Sequence, residues 1–169
     1  MKEIKLTLSL RKVMQRIEMY SYYTGEARKK AGLPKELAAG MQASSDDSVQ
    51  LYDHVSSAIG ELSKMLSRFL GICSVHYEGS ADDKEIYNAV FSLIPPFNYP
   101  LEAFPQIEEA MENYAVMRIL GLWLQQHKPD EVVAITTETQ QHSLHLRELF
   151  ALRKRPGKIV RNDDNIITL

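Results

Sequence analysis

The sequence predicts a mainly α fold, a four-helix domain carrying a small two- or three-stranded β-sheet, and three observations lead there. Four segments repeat apolar residues at i, i+3, i+4 and i+7, the spacing of one helix face. Two short segments, 3–8 and 87–93, alternate apolar with polar side chains, the spacing of a half-buried strand. The 169 residues are the size of one domain, a length that buries roughly two thirds of its unfolded surface. A 44% hydrophobic and 25% charged composition fits a packed core rather than a disordered, collagen-like or disulfide-framework chain. Residues 1–157 are therefore read as a single helical domain with an N-terminal strand, and 158–169 as a C-terminal tail or strand.

Along the chain, Ile4, Leu6 and Leu8 share one face of a strand and Lys5 and Thr7 the other. From Leu10 the period changes to that of a helix, with Val13, Met14, Ile17 and Tyr20 in its stripe and Ser9 as N-cap. This helix extends towards Lys30. Thr24-Gly25 leaves open a break or a continuous helix, because a mid-helix glycine costs about 1 kcal/mol relative to alanine. Residues 32–46, with Gly32, Pro34 and Gly40, read as an irregular surface connection. Residues 44–47 supply N-cap candidates for a second helix, whose stripe Leu51, Val55, Ile59, Leu62, Leu66 and Phe69 is the clearest periodic signal in the chain. Gly71 is placed to end it.

A polar loop is expected over 78–83, then a second strand with Tyr87, Ala89, Phe91 and Leu93 on one face, stopped by Pro95-Pro96. Its pairing partners are the first strand or the tail, since an unpaired strand leaves its backbone groups unsatisfied. Pro100 and Pro105 flank the start of a third helix. Its acidic half, Glu102, Glu108, Glu109 and Glu112, suits the positive end of the helix dipole, with Glu108-Glu109 on a solvated face. Its second half, residues 115–124, is apolar nearly all round and should be the most buried helix of the fold. Asp130 is placed to cap a fourth helix carrying Val132, Val133, Ile135, Thr139, His142, Leu146, Leu149 and Phe150, followed by Arg153-Lys154-Arg155 and Pro156-Gly157. In the tail, Ile159-Val160 and Ile166-Ile167 flank a polar stretch, the pattern of a third strand or an arm able to pair with a neighbouring subunit. No internal repeat or low-complexity tract occurs.

Twenty Lys plus Arg against twenty-two Asp plus Glu give a net charge of -2, so no bulk field points to nucleic acid or an anionic membrane. The single cysteine, Cys73, forms no internal disulfide and reads as a small buried hydrophobe in a reducing compartment. The opening MKEIKLTLSL lacks the continuous apolar stretch of a signal peptide, and no run of 18 apolar residues exists. A cytoplasmic protein, or a virion component after assembly, is expected.

Chemistry-bearing motifs are scarce. His142 and His145 lie one helical turn apart with Glu138 and Glu148 nearby, the spacing at which side chains share a metal. A di-iron bundle needs Glu-x-x-His on two helices, and this sequence has none; Glu138 to His142 is Glu-x-x-x-His. The glycine-rich phosphate loops, the zinc-protease His-Glu-x-x-His and the hydrolase Gly-x-Ser-x-Gly are also missing. No catalytic, cofactor or metal residue is assigned. The partner-binding candidates are Arg153, Lys154, Arg155, Lys158 and Arg161, a basic cluster that the helix dipole alone also favours.

Five segments together carry a family resemblance. They are Tyr22-Tyr23-Thr24-Gly25-Glu26-Ala27-Arg28; Ser45-Asp46-Asp47 at a helix opening; Phe91-Ser92-Leu93-Ile94-Pro95-Pro96-Phe97-Asn98-Tyr99; Glu112-Asn113-Tyr114-Ala115-Val116 leading to Leu122-Trp123-Leu124; and Leu152-Arg153-Lys154-Arg155-Pro156. In this order the chain resembles an uncharacterised family encoded among structural genes of tailed phages and prophages, and the Ser-Asp-Asp opening is similar to phage head-to-tail connector proteins. The likeness spans most of the chain and departs at Pro95-Pro96, where a single proline is expected. It implies a non-enzymatic structural or adaptor subunit whose neighbours are other copies of itself and other phage structural proteins, with no membrane and with nucleic acid less favoured. The rival readings are a helical-bundle metal protein or enzyme centred on Glu138, His142 and His145, and a module binding nucleic acid or acidic protein through the basic C-terminus.

Overall fold

The computed structural model describes residues 3–30, 48–79, 86–127 and 132–154. Strand β1 (Ile4–Ser9) leads directly into helix α1 (Leu10–Lys30), and helix α2 (Ser48–Leu70) is followed by strands β2 (Cys73–Gly79) and β3 (Ile86–Leu93). A one-turn 3-10 helix (Leu101–Ala103) then introduces α3 (Phe104–His127), and α4 (Val132–Ala151) completes the order. The expected mainly α architecture with a small sheet is what the chain adopts. The predicted connection over 32–46, the caps at 44–47 and Asp130, and the tail over 158–169 lie outside the described residues.

The sheet is antiparallel with order β1-β3-β2. Its helix-facing side is built from matched apolar positions, Leu6 opposite Phe91 and Leu8 opposite Ala89, with Val75 on the far side of Phe91. The opposite side is polar, with Thr7 and His76 flanking Val90, the division expected of an antiparallel sheet covered on one face. β1 and β3 pair with each other, one of the two pairings the sequence leaves open. The third strand is β2, not expected from the sequence: Cys73, Val75 and Tyr77 alternate with Ser74, His76 and Glu78, so Glu78 and Gly79 belong to a strand and not to a loop. Cys73 is accordingly half-buried on this strand instead of fully enclosed, and desolvation raises its thiol pKa.

Helix α1 runs without interruption through Gly25. Ser9 Oγ accepts a long hydrogen bond from the Lys12 N–H at 3.5 Å, the capping role its position predicts. α2 stops at Gly71, whose φ of +97° is costly for any residue with a side chain. A Cβ at this position would also lie 3.2 Å from the Ile94 carbonyl oxygen. Thus one residue both ends the helix and starts the chain along β3.

α3 packs against α1, α2, α4 and β1. Ala115, Val116, Met117, Ile119, Leu120, Trp123 and Leu124 are all buried, so the apolar half of α3 is the centre of the core, as its composition predicts. Within α4 the expected stripe holds at Leu146, Leu149 and Phe150, whereas Val133 faces solvent at 74% exposure. Helix period alone does not fix which apolar residue of a first turn meets the core.

Replacing Trp123 by alanine should cost about 3 to 5 kcal/mol in denaturant titration, because the indole is enclosed at the centre of the molecule. A loss below about 1 kcal/mol would show that the core tolerates its removal.

Candidate functional site

Polar side chains on the buried helices meet in one place. Glu61, on α2, faces Tyr114 and Arg118, which lie one turn apart on α3. Arg118 donates to the Glu61 carboxylate from Nε at 3.0 and 3.2 Å and from Nη2 at 2.7 Å. The Tyr114 hydroxyl donates to Oε2 at 2.6 Å. Burial pushes the Glu61 pKa up, but the hydrogen bonds from Arg118 and Tyr114, and the charges of Arg118 and Lys64, together bring it below its ordinary value. Burial raises the Tyr114 phenol, and the adjacent Glu61 carboxylate raises it further. The Arg118 pKa is raised chiefly by its bond to Glu61.

This cluster borders a solvent-open groove of about 260 Å³ between α2, α3 and α4, which is also lined by Gly121, Gln125 and Thr139. The charged groups there are already matched to one another. The Thr139 hydroxyl donates to the Ile135 carbonyl at 2.7 Å within its own helix. Glu61 stays ionised and Tyr114 protonated around neutrality, so the cluster works as a charged joint between two helices. The signal in the sequence was Arg118 itself, the one charged residue within the apolar run 115–124.

A second polar joint fastens α3 to β1 and α1. The Thr7 backbone N–H donates to Glu108 Oε1 at 2.7 Å, and Arg16 Nη1 donates to Glu112 Oε1 at 3.1 Å. Glu108, expected on a solvated face, instead takes a backbone N–H on the outer edge of β1.

The predicted site residues divide. Arg153 donates to the Phe150 and Leu152 carbonyls at the end of α4 and to the Phe69 carbonyl at the end of α2, at 2.9, 2.6 and 3.0 Å. Its guanidinium also lies 5.7 Å from the centre of the Tyr99 ring. The Lys154 N–H donates to the Asn98 carbonyl at 2.6 Å, and its ammonium pairs with Glu102 at 3.1 Å. Both residues thus hold the fold's own chain ends, while Arg155, Lys158 and Arg161 lie outside the described residues. On α4, Glu138 and His145 are exposed and His142 is half-buried. His145 Nδ1 is 4.0 Å from Glu148. Among the described residues, no three His, Cys, Asp or Glu side chains converge as metal ligands.

The clamp around Arg153 gathers a different feature, which sequence reading missed. Ile72 and Ile94 continue β2 and β3 past the paired Cys73 and Leu93. The turn bearing Phe97 is closed by a hydrogen bond from the Tyr99 N–H to the Pro96 carbonyl, and it is tied to α4 by the Lys154–Asn98 bond. The Tyr99 hydroxyl, buried and with its pKa pushed up to about 12 by desolvation, donates to the Leu149 carbonyl at 2.7 Å. These bonds bring Ile72, Ile94, Phe97, Leu101 and Leu152 to one end of the molecule, where Phe97 is 96% and Ile72 88% exposed. A proline-bounded turn and a residue next to a helix-ending glycine carry no periodicity, so no pattern rule marks them. No protein-family model, curated protein or solved structure matches this chain.

The lowered pKa of Glu61 fixes a sign for acid stability. Its contribution is complete above the ordinary carboxyl value near 4.5 and is lost as pH falls through and below it. With side chains 34% and 35% exposed, solvent screening limits the Glu61–Arg118 pairing to about 1 kcal/mol. Glu61→Gln should therefore flatten the loss of stability between about pH 5 and about pH 3, read by denaturant titration at each pH. Equal slopes for variant and parent would assign the acid sensitivity to other carboxylates.

Proposed function

We propose that this chain is a non-enzymatic structural or adaptor subunit of a phage or prophage particle, placed at the head-to-tail junction and working by packing into a homo-oligomer. The observation that supports it is the apolar end formed by Ile72, Ile94, Phe97, Leu101 and Leu152. Large apolar side chains gathered on a surface lose free energy when a partner covers them, and such patches mark protein contacts. Here they are also held in place, because Tyr99, Arg153 and Lys154 pin both the turn and the end of α4 by backbone hydrogen bonds. A preorganised patch spends less of its binding free energy on ordering. The family resemblance supplies the context of a tailed particle; the clamped apolar end supplies a means of joining one.

The test is incorporation. Tailed particles purified from cells carrying this gene should contain the chain in fixed stoichiometry. The double variant Ile72→Asp, Phe97→Asp should fold with unchanged helicity, since both side chains are exposed, yet be missing from the particles. Particles that lack the native chain, or that take up the variant equally, would overturn the proposal.

A further inference from the structure

The two edges of the sheet are treated differently. On β1, Glu108 takes the outward Thr7 N–H in the middle of the strand. β2, the other edge, has no described strand or helix along its outer side, and Ser74, His76, Tyr77 and Glu78 are exposed. An open strand edge presents unpaired backbone donors and acceptors that another strand satisfies. We infer that two copies of this chain pair through β2, antiparallel, about a two-fold axis at His76. The inference rests on the reading that the chain works by assembly, and it names the surface through which copies meet.

The occupant follows from the side chains of the strand itself. A two-fold axis perpendicular to the sheet keeps the helices of both copies on the same side and passes through a residue position, since directly opposed side chains share a face. With the axis at His76, Val75 lies opposite the second copy's Tyr77 on the helix side. This is a β-branched–aromatic pair of the kind that stabilises antiparallel ladders. It engages a tyrosine ring left 49% exposed beside the small Ala89. On the polar side Ser74 lies opposite the second copy's Glu78, a hydroxyl donor facing a carboxylate acceptor.

The carboxylates are kept apart in this register. Within one copy His76 Nε2 is 3.5 Å from Glu78 Oε1. In this register each Glu78 lies opposite the second copy's Ser74 and the two imidazoles meet at the axis, so no two carboxylates face each other. The axis at His76 also uses the straight part of the strand, because the β2–β3 register shifts between Glu78 and Gly79. Moving the axis to Val75 sets Ile72 against the second copy's Glu78, an apolar side chain against a charge. Moving it to Tyr77 carries the ladder into the irregular Glu78–Gly79 step.

The experiment uses the isolated full-length chain, so its outcome is independent of particle incorporation. In a Cys73→Ser background, His76→Cys places two thiols on the axis, where opposed Cβ atoms lie about 4.5 to 5.5 Å apart. Mild oxidation or a short thiol crosslinker should then give covalent dimer about tenfold faster than Glu138→Cys on exposed α4, and faster than Val75→Cys or Tyr77→Cys. Tyr77→Asp, at a ring 49% exposed, sets a charge against the second copy's Val75 at each end of the ladder and should shift the native chain from dimer to monomer in sedimentation while leaving its helicity unchanged. A monomeric parent, or His76→Cys crosslinking no faster than Glu138→Cys, would overturn the inference. Faster crosslinking at Val75 or Tyr77 would overturn the register.

Discussion

The structure depends on one demand: α3 must be buried on nearly every side while carrying charged residues that resist burial. Its apolar half can be removed from water only if α1, α2, α4 and the sheet surround it. Its polar residues then decide where each neighbour sits. Arg118 takes Glu61 of α2, Glu112 takes Arg16 of α1, and Glu108 takes a backbone N–H of β1. Hydrophobic burial is non-directional and would accept many arrangements of helices around a greasy cylinder. The polar pairs are directional, and they select one.

A second set of directional bonds closes the opposite problem, the helix ends. The last carbonyls of a helix have no partner within it, and two helices ending side by side double the number left over. Arg153 serves both, bonding the Phe69 carbonyl of α2 and the Phe150 carbonyl of α4. Its five N–H donors in a fixed plane suit it to this use in a way that a lysine ammonium does not. The same guanidinium brings positive charge to the negative ends of two helix dipoles. What reads in sequence as a basic partner-binding run is, at its first two positions, a joint of the fold.

Legibility in the sequence followed periodicity. α2 and the apolar half of α3 were plain because their burial repeats with the helix, and β1 and β3 because theirs alternates. β2 carries the same alternation, Cys73, Val75, Tyr77, yet its place at an edge leaves most of it exposed, and strand patterns fade where only one neighbour and one face bury them. The polar joints were not legible. Glu61 and Glu108 look like solvated helix residues until the fold sets Arg118 and Thr7 against them at separations of 57 and 101 residues. The apolar end escaped for a related reason, since its members come from three separate stretches of the chain, at 72, 94–101 and 152, and meet only through long-range hydrogen bonds.

The unequal edges of the sheet bear on what kind of object this chain can build. A strand protein with two open edges is a repeat unit without an end, and each addition creates the site for the next. Here the Glu108 carboxylate occupies one of the donors that would extend the ladder beyond β1. A contact made at β2 would therefore find no equally open edge on the far side of the sheet, and larger assemblies would draw on other surfaces. One glutamate, far in sequence from the strand whose Thr7 N–H it takes, makes the two edges unequal, and a chain with unequal edges would pair once through its sheet where one with equal edges would go on adding copies.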